Sequence, residues 1–274
     1  MYKKDEQEKA KKNLIITSIL IYGIILIVFF SYKHNKINDV TVLKYGRTDN
    51  YILNRPEIGI SKNDDKNQYA GQYTPWTVKT NGGKKVAYLT FDDGPSLNTK
   101  KILNILNKNN IKATFFLIGK NAEKHPDLVK DEFYCGEVIG NHTYSHQLNY
   151  KEGTESFIND LNKCDEVLKS ILGKSYNSKL IRFPGGSFGP KLEPFRASVT
   201  SAGYRFIDWN DAIGDANGYN LPVKTLLSNL KKYTTQNTVV ILMHDAGAKT
   251  TTAEALPQII EYLKSKGYSF DTLE

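Results

Sequence analysis

Two adjacent carboxylates, Asp92 and Asp93, end the run Tyr88-Leu89-Thr90-Phe91-Asp92-Asp93-Gly94-Pro95. Residues 86–91 are rich in β-forming side chains and Gly94-Pro95 is a breaker, so both acids fall at the C-terminal end of a predicted strand. In parallel α/β folds that end is where chemistry collects. Taken alone, the pair also reads as a polar Asp-Asp-Gly turn. A second cluster, Gly140-Asn141-His142-Thr143-Tyr144-Ser145-His146, follows another predicted strand and holds two of the five histidines in the chain. Histidines at i and i+4 meet on one helical face, a spacing that lets two imidazoles share a metal. One carboxylate with two imidazoles makes a three-ligand catalytic set with a fourth position left for water.

Three more predicted strand ends carry polar groups: Arg182-Phe183-Pro184-Gly185-Gly186, then Asp208-Trp209-Asn210-Asp211-Ala212-Ile213-Gly214-Asp215, then Leu242-Met243-His244-Asp245. Each has a bland reading by itself: a surface arginine, an acidic loop, a lone strand-end histidine. Their shared placement at strand C-termini argues for one site.

Such a site needs a scaffold that gathers strand ends. After Lys84, short apolar segments alternate with longer amphipathic ones. Strands are predicted at 86–91, 113–118, 138–140, 180–183, 204–207, 239–243 and 268–270. Helices are predicted at 96–108 with Ser96 as N-cap, 121–135, 152–172, 191–202, 222–233 and 252–266. Seven strands joined by crossover helices predict an α/β fold whose parallel sheet closes into a barrel, because parallel strands need covering on both faces. An open doubly wound sheet fits the same alternation.

Upstream of this domain, residues 1–13 carry Lys3, Lys4, Lys9, Lys11 and Lys12, and residues 14–30 run without a charge. With flanking Tyr32 and Lys33, residues 14–32 can span a bilayer as a transmembrane anchor, the basic tail inside. A cleaved signal peptide shares the basic start and apolar run, but Ser31-Tyr32-Lys33-His34-Asn35 offers no small-x-small cleavage site, and no cysteine follows for lipid attachment. Residues 33–83 are polar and breaker-rich, a stalk, and residues 84–274 form the domain. The expectation is a single-pass cell-membrane protein with its catalytic domain extracellular.

Composition bounds the rest. The chain is 40% hydrophobic and 24% charged, globular rather than disordered or collagen-like. Its net charge of +8 suits an anionic partner such as a wall polymer or membrane headgroups, but no arginine-rich stripe or nucleic-acid motif is present. No obligate protein partner is evident. Cys135 and Cys164 form no metal-ligand cluster; a disulfide in an oxidising compartment and two helix-borne buried thiols both fit.

The order T-F-D-D-G-P, H-T-Y-S-H, R-F-P-G-G, an acidic loop after a tryptophan, then I-L-M-H-D resembles the NodB-type polysaccharide deacetylases, a carbohydrate esterase family, over roughly residues 84–270. The stretch 112–122 also matches the family's second strand. The resemblance implies a distorted (β/α) barrel of about seven strands and metal-dependent hydrolysis of N-acetyl, or sometimes O-acetyl, groups on sugar polymers. It implies that Asp93, His142 and His146 hold a divalent metal, usually zinc, that Asp92 is the general base, and that His244 is the general acid. Arg182 would orient Asp92, and Asp215 would tune His244, with Asp211 as the substitute. Backbone N–H groups of the Pro184-Gly185-Gly186 turn would meet the oxyanion, with Trp209 and Leu242 beside the substrate.

Two departures stand out. Family members commonly carry a tyrosine where this chain has Gly185, and a tryptophan where Ala216 follows Asp215. The expected substrate is the N-acetylglucosamine of a cell-wall glycan, foremost peptidoglycan. Chitooligosaccharide, an exported glucosamine polymer or O-acetylated xylan are alternatives within the class, and a silent glycan-binding module is the contrasting one.

Overall fold

The computed structural model describes residues 71–72 and 84–273. Nine strands form one all-parallel sheet: β1 (Gly71–Gln72), β2 (Val86–Gly94), β3 (Thr114–Leu117), β4 (Val138–Asn141), β5 (Leu180–Ile181), β6 (Arg205–Phe206), β7 (Asp211–Ala212), β8 (Thr238–His244) and β9 (Ser269–Asp271). Neighbours run β1-β6-β5-β4-β3-β2-β8-β7, with β9 beside the first half of β2. This is the order of a (β/α) barrel interrupted once, between β7 and β1, which lies on the outer edge of β6. The predicted barrel is therefore curled and left open at that seam, with no pairing across it among the described residues.

All seven predicted strands are present. The two additional ones, β1 and β7, are two-residue edge pieces. β1 comes from the segment predicted as stalk, where Gly71 and Gln72 pair with Arg205 and Phe206. The predicted basic tail, transmembrane segment and most of the stalk lie outside the described residues. Among those described, no helix is long and apolar enough to cross a membrane.

Side-chain alternation divides the core in two. Val86, Tyr88, Phe116, Leu180 and Val240 fill the inside of the curl. Ala87, Leu89, Phe91, Phe115, Val239, Ile241 and Met243 face outward beneath the helices. Those helices are α1 (Thr99–Asn109), α2 (Gly119–Lys124), α3 (Pro126–Tyr134), α4 (Gly153–Leu172), α5 (Glu193–Ser201), α6 (Val223–Tyr233) and α7 (Thr250–Ser265). The predicted helix 121–135 is two helices, because Pro126 cannot supply the N–H that would continue the first and instead opens the second.

Packing inside the curl is tight at Gly140, where an added Cβ would come within 2.6 Å of the Phe116 ring. Filling that space would force the ring aside, a cost of about 1–3 kcal/mol. The inward register then continues to the strand ends: Tyr88 leads to Thr90 and Asp92, Leu180 to Arg182, and Val240 to Leu242 and His244. Alternation thus aims one face of β2, β5 and β8 into the same mouth.

Candidate active site

Asp92 follows that alternation, but Asp93 should point the other way. Its backbone turns it back, with φ at 70° and a register shift against β3 between Asp92 and Gly94. Thr143 and His146 are also left-handed, at 66° and 58°. Non-glycine residues avoid this region, so three such residues around one mouth mark a site whose geometry is imposed by its surroundings.

The two histidines converge without a helix. Residues 142–148 form a bent loop, so the expected helical i, i+4 face is replaced by a hydrogen-bonded turn. Asn141 Oδ1 accepts the Thr143 N–H at 2.8 Å and Thr143 Oγ1 accepts the His146 N–H at 2.9 Å. Asp160, from α4, accepts both the N–H and the hydroxyl of Ser145. The outcome is a pair of imidazoles with centroids 4.9 Å apart.

Asp93 Oδ1 lies 3.6 Å from His142 Nε2 and 3.1 Å from His146 Nε2, and the donor atoms of the three residues all lie within 4.8 Å of one another. That oxygen is buried yet has no hydrogen-bond partner. A buried carboxylate oxygen without a donor is costly unless a cation meets it. The His142 Nδ1–H donates to the Arg182 carbonyl at 2.8 Å, which leaves the Nε2 lone pair for a metal. Burial lowers the His142 pKa, against the raising pull of Asp92 and Asp93, and favours the neutral ring that ligation needs. The set fits one divalent cation, with His146, 39% exposed at its side chain, on the open side.

Arg182 is completely buried beneath this set. Its Nη1 donates to Asp92 Oδ1 at 2.9 Å and to Thr90 Oγ1 at 2.7 Å, its Nε donates to the Ile207 carbonyl, and its guanidinium lies 4.2 Å from the Phe116 ring centroid. Asp92 Oδ1 is thereby fixed, while Oδ2 faces His142 Nε2 at 3.7 Å without a hydrogen bond. A carboxylate held at one oxygen and free at the other has the geometry of a proton acceptor.

Across the mouth, the His244 Nδ1–H donates to Asp215 Oδ1 at 2.9 Å. Asp215 Oδ2 accepts the His244 backbone N–H and the Thr252 hydroxyl, each at 2.8 Å. Burial alone would lower the His244 pKa, but the hydrogen bond and charge of Asp215, helped by Asp92 and Asp93, raise it. Asp211, the substitute partner, is elsewhere: it sits on β7 and accepts the Thr234 hydroxyl at 2.6 Å.

The third-motif turn is closed by the Gly186 N–H donating to the Phe183 carbonyl at 2.9 Å, with Gly185 at φ 76°. Proline followed by positive φ makes a type II turn. Pro184 has no N–H and that of Gly186 is engaged, so within the turn the Gly185 N–H is the donor left available. Trp209 lies with its ring centroid 5.7 Å from the Arg182 guanidinium, and Leu242 lines the inner face of β8.

Sequence reasoning passed over Asp245. Its Oδ1 accepts the Ser96 hydroxyl at 3.0 Å, its Oδ2 accepts the Thr99 hydroxyl, and its backbone N–H donates to the Asp92 carbonyl at 2.8 Å. The N-cap position of α1 is held by Asn98 and not by the expected Ser96, whose hydroxyl oxygen accepts the Asn98 N–H at 3.0 Å. The available signal was the position of Asp245, one residue after a strand-end histidine. The thiols of Cys135 and Cys164 are free.

A curled (β/α) barrel whose mouth gathers a carboxylate–imidazole set fit for a cation, an arginine-held carboxylate and a carboxylate-backed histidine has the parts from which a hydrolase of acyl bonds is built. Comparison with known proteins narrows the class. The polysaccharide deacetylase family profile matches residues 79–207. A peptidoglycan-N-acetylglucosamine deacetylase of Bacillus cereus is 38% identical over 194 residues, 69% of each chain. Among solved structures, a Streptococcus mutans CE4 esterase superposes with a TM-score of 0.66 at 34% identity, covering 74% of this chain and 92% of that one. A polysaccharide deacetylase from Bacillus cereus does so with a TM-score of 0.63 at 36% identity, covering 70% and 93%. The chain belongs to the polysaccharide deacetylase family, hydrolases of acetyl groups on glycans.

Proposed function

We propose that this protein removes the acetyl group from N-acetylglucosamine units of peptidoglycan, using one zinc ion held by Asp93, His142 and His146. The observation that carries the proposal is the buried, donorless Asp93 Oδ1 facing both imidazoles, on a chain whose 38% identical relative is named for that substrate. When bound there, a divalent ion supplies charge that polarises the acetyl oxygen and acidifies water. Asp92, its Oδ1 pinned by Arg182, takes the proton from the attacking water on Oδ2. The Gly185 N–H meets the oxyanion. His244, whose protonated form Asp215 favours, gives its Nε2 proton to the departing nitrogen. The balance is one water consumed, one acetate and one amine formed.

We also propose that residues 14–32 anchor the chain in the cell membrane and residues 33–83 carry the domain outside, towards the wall. The support is the uncharged run and the basic tail before it.

Acetate release from purified peptidoglycan, an N-acetylglucosamine oligomer and acetylated xylan, measured with zinc-loaded protein, tests the reading. The expected result is release from peptidoglycan that His142→Ala abolishes. Binding of the glycan without acetate release from any of the three would leave a binding module instead.

A further inference from the structure

The rim beside the third-motif turn carries an aromatic pair that the reaction chemistry does not use. Phe188 is 57% exposed, and its ring meets Trp209 edge-on, centroids 5.4 Å apart and planes at 88°. Trp209 in turn contacts the Arg182 that holds Asp92, so the pair adjoins the reacting centre.

This aromatic corner is built rather than incidental. Ser187, just before the ring, is buried, its N–H and hydroxyl donating to the two oxygens of buried Asp208 at 2.8 and 2.5 Å. Arg196 Nη1 donates to the carbonyls on both sides of the ring, Ser187 at 2.5 Å and Gly189 at 3.0 Å. The backbone carrying Phe188 is therefore clamped on both flanks. Next to it, a Cβ on Gly186 would strike the Phe188 ring at 2.5 Å and Trp209 at 3.1 Å, whereas one on Gly185 would meet nothing within 4 Å. The turn thus has an aromatic wall on one side and open space above Gly185.

We propose that Phe188, braced by Trp209, is the stacking wall for a pyranose ring of the glycan, a specificity-determining residue that selects polymer over small acetylated compounds. Aromatic faces suit sugars because the axial C–H face of a pyranose is apolar while its edges carry hydroxyls, and a rigid ring loses little entropy on contact. A single exposed ring is ordinary on a protein surface; this one stands on a clamped backbone beside the third-motif turn. The inference rests on the glycan-deacetylase reading above.

The test uses the full zinc-loaded chain with a β-1,4 N-acetylglucosamine tetramer and, for comparison, 4-nitrophenyl acetate. Phe188→Ala should lower the ratio of kcat/KM for the tetramer to kcat/KM for the ester about tenfold, chiefly through KM. Phe188→Trp should restore the ratio. Phe188→Leu, which keeps apolar bulk but lacks a ring face, should behave as alanine does. A ratio unchanged by alanine, or restored by leucine, would overturn the stacking role. Calorimetric titration with the tetramer keeps the two readings apart. Phe188-dependent binding without turnover would support the wall and sink the hydrolase reading, and absence of both binding and turnover would sink both.

Discussion

His244 and Asp215 are joined twice: the imidazole Nδ1–H donates to one carboxylate oxygen at 2.9 Å, and the His244 backbone N–H donates to the other at 2.8 Å. The ring therefore cannot rotate without breaking its bond to a carboxylate whose other oxygen is held by the His244 backbone. Its raised pKa keeps the acid form populated to higher pH than the ordinary value of 6.5. In the proposed mechanism deprotonation removes the proton that the leaving nitrogen requires, so kcat should fall as pH rises through the raised value. Asp215→Asn should move that descending limb to lower pH and reduce kcat by about 10²-fold or more. A limb that stayed in place would show that another group sets it.

Asp92 and Asp93 are neighbours with different environments. Arg182 and Thr90 hold Asp92, whereas Asp93 Oδ1 faces only imidazoles. Asp93→Asn should weaken zinc binding by at least tenfold, read by competition with a chelating dye. Asp92→Asn should retain zinc and lose turnover by about 10²-fold or more. Equal loss of metal in both variants would end this division of labour.

The chemistry was readable in the sequence because paired acids, spaced histidines and strand-end placement survive in one dimension. The seven main strands were readable for the same reason, each being an apolar run between breakers. Other features lack a local pattern. β1 and β7 are two residues long, too short for any periodicity to register. The histidine pair was expected on a helix, yet the left-handed backbone at Thr143 and His146 depends on hydrogen bonds from Asn141, Thr143 and distant Asp160. Asp93 turns inward for a similarly non-local reason. Phe188 had no signal at all, since an aromatic residue after Gly-Gly-Ser reads as an ordinary loop.

Glu132 in α3 is fully buried with neither carboxylate oxygen hydrogen-bonded. Burial first, then the charges of Asp245, Glu137 and Asp131, push its pKa well above 4.5. The folded state therefore favours the protonated acid, and its contribution to stability is present below pH 4.5 and is lost as pH rises towards the raised value. Glu132→Gln removes that loss and should raise stability near neutrality by about 1–3 kcal/mol. Thermal melts across pH should show the gain shrinking as pH falls towards 4.5. A constant difference would mean that the side chain is not titrating in the fold.

Asp245 ties two halves of the site. Through the Ser96 and Thr99 hydroxyls and the Asp92 carbonyl it holds the loop bearing both acids against the strand end bearing His244. Burial raises its pKa to about 7, so at neutral pH the clamp is poised between acceptor-only and hydroxyl-bearing forms. Asp245→Ala strands two buried hydroxyls and empties the space between β8 and α1, and should destabilise the fold by about 2–4 kcal/mol. Asp245→Asn, which keeps an acceptor and the volume, should cost less than half of that. If the clamp positions the acids, the asparagine variant should retain zinc and show a lower kcat with KM little changed. A kcat equal to that of the parent would confine Asp245 to holding the fold together.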